Sequence, residues 1–249
     1  MTPQEVAAWF DSEQTGYHDL SDGSSQHVYG YHALNWVHSL SALGDREFSH
    51  CVAFGCAKGD DVEPIAHRVE RFTCLEPAKA WWREEIGGTP ATYMAPDMTG
   101  RIALADANAD LVTCFSALHH VPTASYVISE FSRILAKDGV LIIREPIHTL
   151  GDWRRPRRGL TPYERGFPVD WLREALLAHG FAIERIRFCQ FPLSSRIGPM
   201  FLKPYFNSYL LTYFDWACSA LTAWNLHYHR DSLLKKMAPA TAAVVARRI

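Results

Sequence analysis

Apolar and polar positions along the chain are arranged in blocks whose period changes. Before residue 47 there are two helical patterns: residues 3–12, and Ala33, Trp36, Val37 and Leu40 on one face before the Gly44-Asp45 break. From Phe48 the pattern becomes apolar run, glycine-containing turn, amphipathic helix and apolar run again, which predicts βαβ units and a mostly parallel sheet. Strands are expected near 49–54, 71–75, 91–94, 110–115 and 139–144. After the first strand, Val62, Ile65, Ala66 and Val69 share one helical face, with Asp60 and Glu63 spaced as a capping pair. Val127, Phe131, Ile134 and Leu135 mark another helix, expected to stop at Gly139. Beyond an Arg-, Pro- and Gly-rich loop from Pro146 to Pro168, a helix is expected over 169–179 and strands over 181–189 and 241–247. The roughly fifty residues between those last two strands are short for a separate domain and read as an insertion that covers a substrate.

Composition narrows the class. A net charge of −2, with 21% charged and 48% hydrophobic residues, is ordinary for a globular protein and argues against nucleic acid as partner. The six cysteines, Cys51, Cys56, Cys74, Cys114, Cys189 and Cys218, form no C-x-x-C pair and read as buried, reduced thiols of a cytoplasmic protein. No leader pattern opens the chain. The most apolar stretch, Tyr205 to Leu226, is interrupted by Asn207, Asp215 and Asn225, so a buried or surface-docking helix is expected there and no transmembrane segment.

Candidate chemistry begins at Cys51-Val-Ala-Phe-Gly55-Cys56-Ala57-Lys58-Gly59-Asp60, an apolar strand running into a glycine turn. Glycine there lets backbone approach a ligand, and the following helix start offers unpaired N–H groups. Glu76 lies 21 residues beyond Gly55, at the end of the second strand, where a carboxylate can accept hydrogen bonds from both hydroxyls of a ribose or cap the turn beginning at Ala78.

The segment Ala109-Asp-Leu-Val-Thr-Cys-Phe-Ser-Ala-Leu-His119-His120-Val-Pro resembles the fourth-strand motif of class I S-adenosylmethionine-dependent methyltransferases of the small-molecule, type 11-like kind. The stretch from Glu130 through Gly139 to Glu145-Pro146 is similar to the next helix and strand of that family. The resemblance implies an α/β fold: a Rossmann-like, seven-stranded, mostly parallel sheet with helices on both faces and the last strand antiparallel. One domain is expected over 1–249, with an N-terminal helical cap (1–46), a core (47–191), a helical insertion (192–238) and the last strand (239–249). The resemblance also implies S-adenosyl-L-methionine as cofactor. Gly55, Cys56, Ala57 and Gly59 would line its methionine and ribose side, with Lys58 and Pro77 beside them. Glu76 would hold the ribose, Asp97 and Met98 would meet the adenine, and Phe115 and Ser116 would lie beside the methionine part. The chain departs from the family at Ala53, where an acidic residue is usual, and at Ala57, where a glycine is; Lys58 or Asp60 would substitute in part for the lost acid.

Transfer to oxygen needs a proton acceptor, and ligands of open α/β sheets sit at the carboxyl ends of the strands. His119, His120, Glu145 and His148 meet that condition, with the first two ahead of His148. Arg144, and Arg157 and Arg158 in the arginine-rich loop, are candidates to clamp an anionic group. Tyr209 and Tyr213 are candidates to stack on an acceptor. No metal is expected. The sequence thus points to an O-methyltransferase of a small, anionic or sugar-like acceptor, such as a sugar, a glycan precursor or a secondary metabolite, with histidine assistance and room for a homodimer. The alternatives are N- or C-methylation of an amine or quinone-like acceptor, and a non-catalytic cofactor-binding protein.

Overall fold

The computed structural model describes residues 2, 4–9, 29–152, 154–157, 160–195 and 204–249. In chain order its elements are α1 (4–9), α2 (His32–His38), β1 (Cys51–Phe54), β2 (Phe72–Leu75), β3 (Glu85–Ile86), β4 (Thr89–Met94), β5 (Ala109–Phe115) and α3 (Ala124–Ile134). There follow β6 (Leu135–Pro146), α4 (Val169–Ala178), β7 (Phe181–Cys189), α5 (192–195), α6 (Tyr209–Thr222), α7 (Leu233–Lys236) and β8 (Thr241–Arg248). They build one sheet in the order β3-β4-β2-β1-β5-β6-β8-β7. Strands β4, β2, β1, β5 and β6 run parallel, and β8 lies antiparallel between β6 and β7.

β1, β2 and most of β5 are buried on both faces, which is why they read as continuous apolar runs rather than alternating ones. One cluster, with Val52, Phe54, Val112, Phe131 and Ile143, packs under α3 and α4; a second, with Cys51, Ala53, Ile65, Leu111 and Ile142, fills the opposite face. The order reverses between β1 and β5, since the chain first builds β2 and β4 on one side and then crosses to the other. Ligands of such sheets bind at this switch point, beyond the carboxyl ends of the strands.

The structure departs from the expected elements in three places. An eighth strand appears because Gly87 and Gly88, at φ 56° and 82°, make a two-residue hairpin turn between β3 and β4. The segment after β1 is a 3-10 helix over Glu63–Arg68 with Pro64 in its first turn; Val62 occupies the N-cap, and neither Asp60 nor Glu63 caps with its side chain. α3 ends at Ile134, not at Gly139, because Leu135 already pairs with Ala109 as the first residue of β6.

Five of the six cysteines are buried and all are free. No helix among the described residues is long and apolar enough to cross a membrane.

Candidate functional site

β1 ends at Phe54 and the chain turns through three left-handed residues: Gly55 (φ 63°), Ala57 (φ 48°) and Gly59 (φ 83°). A Cβ on Gly55 would lie 2.3 Å from the Cβ of Ala117, so this turn closes directly on the tip of β5. Ala57 bears a strained conformation that costs about 1–2 kcal/mol for a residue with a Cβ. Its N–H donates to Glu76 Oε2 at 2.8 Å, a charge-assisted bond that offsets part of that cost.

Glu76 Oε1 accepts from the N–H of Ala78 at 2.9 Å. Burial raises the pKa of this carboxyl, and the two backbone donors oppose the shift. Capping and ligand binding do not compete here, because each carboxylate oxygen has a second lone pair for a ligand hydroxyl.

The cleft above this turn is lined by Phe54, Gly55, Ala57, Leu75, Glu76, Pro77, Trp81, Pro96, Asp97, Met98, Gly100, Ala117, His120 and Val121. Six of the residues expected at a cofactor meet in it: Gly55, Ala57, Glu76, Pro77, Asp97 and Met98. Cys56 and Phe115 are buried beneath it, and Gly59 packs against Ile86. Lys58 and Ser116 flank the turns without lining the cleft. Asp97 accepts from the N–H and hydroxyl of Thr99 at 2.7 and 2.6 Å, which shapes the loop after β4. The apolar walls at Phe54, Leu75, Trp81 and Val121 were not anticipated; their positions at strand ends and beside the Glu76 turn were the available signal.

At the tip of β6, Glu145 is fully buried. Its Oε1 accepts from the N–H groups of Ala117 and Leu118 at 3.0 and 2.8 Å, and its Oε2 lies 2.6 Å from His119 Nδ1. His119 Nε2 faces Glu164 Oε1 at 3.5 Å. Burial alone would push the His119 imidazole down, but Glu145 and Glu164 together outweigh it and raise its pKa to about 9. The two carboxylates thus favour the protonated form of the His119 ring. The ring of His120 lies 4.0 Å from that of His119, and His120 reaches the cleft. His119, His120 and Glu164 bring their ligand atoms within 4.8 Å of one another, close enough to surround a small cation.

The remaining candidates lie elsewhere. His148 belongs to a separate cavity of about 1130 Å³, lined also by Pro146, Arg154, Gln190, Arg230, Lys236 and Thr241. Arg144 is buried, its Nε donates to Asn35 Oδ1 at 2.8 Å, and its guanidinium lies 5.0 Å from the Tyr31 ring and 5.8 Å from that of Phe115. Arg157 donates to the carbonyls of Thr149, Leu150 and Thr161, so it staples its own loop and lines neither cavity. Arg158 lies outside the described residues. Tyr209 and Tyr213 are each 51% exposed on α6 and line neither cavity. Sequence reasoning also missed Asp61, buried next to the glycine turn with Oδ1 unpartnered among the described residues and a pKa raised by burial to about 7.

Two histidines, His38 buried and His148 half-buried, set an acid limit. Burial lowers His38 and His148 from 6.5 to about 3, with Arg187 adding to the shift at His38 and Arg230 at His148. A folded-state pKa below the unfolded value gives stability that is present above pH 6.5 and lost as pH falls toward 3. The urea midpoint is therefore expected to drop between about pH 7 and pH 5, with a shallower fall in a His38→Asn, His148→Asn double variant. An identical slope in both proteins would remove these residues as the cause.

The methyltransferase-domain family model matches residues 52–143, the stretch from β1 to β6 that builds the cleft. No curated protein sequence matches the chain at a significant level. Among solved structures, the chain is similar to a putative sarcosine dimethylglycine methyltransferase from Galdieria sulphuraria, at 14% identity and a TM-score of 0.59 over 95% of this chain and 98% of that one. It is similar to the N-methyltransferase NodS from Bradyrhizobium japonicum in complex with S-adenosyl-L-homocysteine, at 13% and 0.58 over 95% and 98%. It is also similar to the cyclase SpnF, at 17% and 0.57 over 99% and 96%. At these identities the likeness establishes the fold, a Rossmann-like α/β sheet.

Proposed function

We propose, on the premise that this chain is a class I S-adenosylmethionine-dependent methyltransferase, that it transfers the methyl group to a hydroxyl oxygen of a small molecule such as a sugar, a glycan precursor or a secondary metabolite. The residues of the cleft fit the cofactor. A turn at Gly55 with no room for a Cβ, a carboxylate at the tip of β2 with free lone pairs, and apolar walls at Leu75, Trp81 and Met98 match a ribose and a flat base. When bound, S-adenosylmethionine supplies an electrophilic sulfonium methyl group. Glu76 would accept from its ribose hydroxyls, Asp97 and Met98 would flank the adenine, and the turn from Gly55 to Gly59, backed by Phe115 and Ser116, would border the methionine part.

His120 takes the proton of the acceptor hydroxyl. The observation that carries this assignment is that His120 alone of the candidate histidines lines the cleft with Gly55, Glu76 and Asp97. His119 and Glu145 are positioning residues. Through Ala117, Leu118 and His119, Glu145 anchors the turn that presents His120. The larger cavity begins at Pro146, next to Glu145, and its mixed polar wall of Arg230, Lys236, Asp152 and Asp231 suits a hydroxyl-rich acceptor.

The test is methyl release over phenolic and sugar acceptors. His120→Ala is expected to lower kcat by about 10²–10⁴-fold, as for loss of a general base, with the affinity for S-adenosylmethionine unchanged. Wild-type turnover in that variant would overturn the assignment, and turnover confined to amine acceptors would replace oxygen by nitrogen.

A further inference from the structure

α6 is amphipathic in the inverse sense. The residues it buries completely are Thr212, Asp215 and Ser219, and the exposed side chains on it and just beyond its end are Tyr209, Leu210, Tyr213, Phe214, Leu221 and Trp224. Spacings of three, four and seven residues set Leu210, Tyr213, Phe214, Leu221 and Trp224 in one stripe, between half and four-fifths exposed. Asp215 explains the inward polar face. Its carboxylate accepts from the N–H groups of Gln190 and Phe191 at 2.8 Å each, and from the Ser194 hydroxyl, which fixes α6 against the end of β7. The outward face is left in water, and so much aromatic surface on a single helix is unfavourable there by about 25 cal/mol per Å².

We propose that this stripe is the interface of a symmetric dimer, covered by the same stripe of a second copy of the chain. Composition favours this occupant. Asp215 is the only charged residue between Tyr205 and His229 and it points inward, whereas interface centres are depleted of charge and rich in Tyr, Trp and Phe. Area favours it as well. The six outward side chains expose on the order of 800 Å², about one partner's share of a standard interface. A twofold axis lets one patch cover itself, with Trp224 and Phe214 as the dominant contacts.

The test is sedimentation equilibrium of the full chain at micromolar concentration, for wild type and a Phe214→Glu, Trp224→Glu variant. Wild type is expected at twice the 28.2 kDa chain mass and the variant at once that mass, with the same circular dichroism. If the variant does not fold, Leu210→Lys with Leu221→Lys replaces it. A monomeric wild type, or a variant that remains dimeric, overturns the proposal. So does a wild-type monomer that co-sediments with phosphatidylglycerol vesicles, which would make a lipid surface the occupant. S-adenosyl-L-homocysteine binding, measured on the same samples, reports the cofactor site separately.

Discussion

Gly55→Ala is expected to lower the unfolding temperature by about 5–15 °C and to abolish measurable binding of S-adenosyl-L-homocysteine. Two costs combine. The φ of 63° places any other residue in the left-handed region, and the added Cβ would stand 2.3 Å from the Cβ of Ala117. The second cannot be relieved by rotating a side chain, because both groups are fixed directly to backbone. Either the glycine turn or the tip of β5 must move, and these are two walls of the same cleft. Thermal unfolding with and without the ligand reads both effects. A variant that kept its midpoint and still gained stability from ligand would show that the turn does not need glycine.

Glu145→Ala is expected to destabilise the protein by about 3–5 kcal/mol, as for removal of one partner of a buried ion pair. Its carboxylate accepts from two backbone N–H groups and holds the His119 ring, so the deletion leaves three donors with no acceptor in a closed pocket. Glu145→Gln retains the volume and one carbonyl acceptor, and separates charge from shape. Because the His119 pKa is raised to about 9 in the folded state, its contribution is complete below pH 6.5 and is lost as pH rises to 9. Stability of the wild type should therefore decline across that alkaline window, and the decline should shrink in Glu145→Gln. An unchanged alkaline limb would mean that Glu145 does not set the charge on His119. Because the turn bearing His120 loses its anchor, both variants should also lower kcat more than they alter cofactor affinity.

Much of the core was legible because buried parallel strands leave long apolar runs: β7 begins and ends where its run does, and β5 and β8 match within a residue. Gly55, Glu76 and the His119-His120 pair could be read because their chemistry depends on spacing along the chain. Pairings made through space could not. Nothing in the sequence links Glu164 to His119 across 45 residues, or tells that Arg157 turns back on its own loop. The helix expected after β1 is a six-residue 3-10 helix instead, a difference that its apolar spacing does not reveal and that Pro64 in the first turn does not explain. The aromatic run in α6 was visible, but not which way it faced, because that depends on Asp215 finding partners near the end of β7.

β8, the last of the eight strands to leave the ribosome, occupies an interior place in the sheet. Until residue 248 emerges, β6 and β7 each present a raw edge toward the gap that β8 will fill, and β7 has no neighbour to pair with. The nascent chain can assemble the strands from β1 to β6 early, but the half bearing α6 waits for β8. Exposed edges at that stage invite pairing with other chains. Holding yield constant while shortening β8 should thus be harder than shortening any outer strand, since it reopens two seams at once.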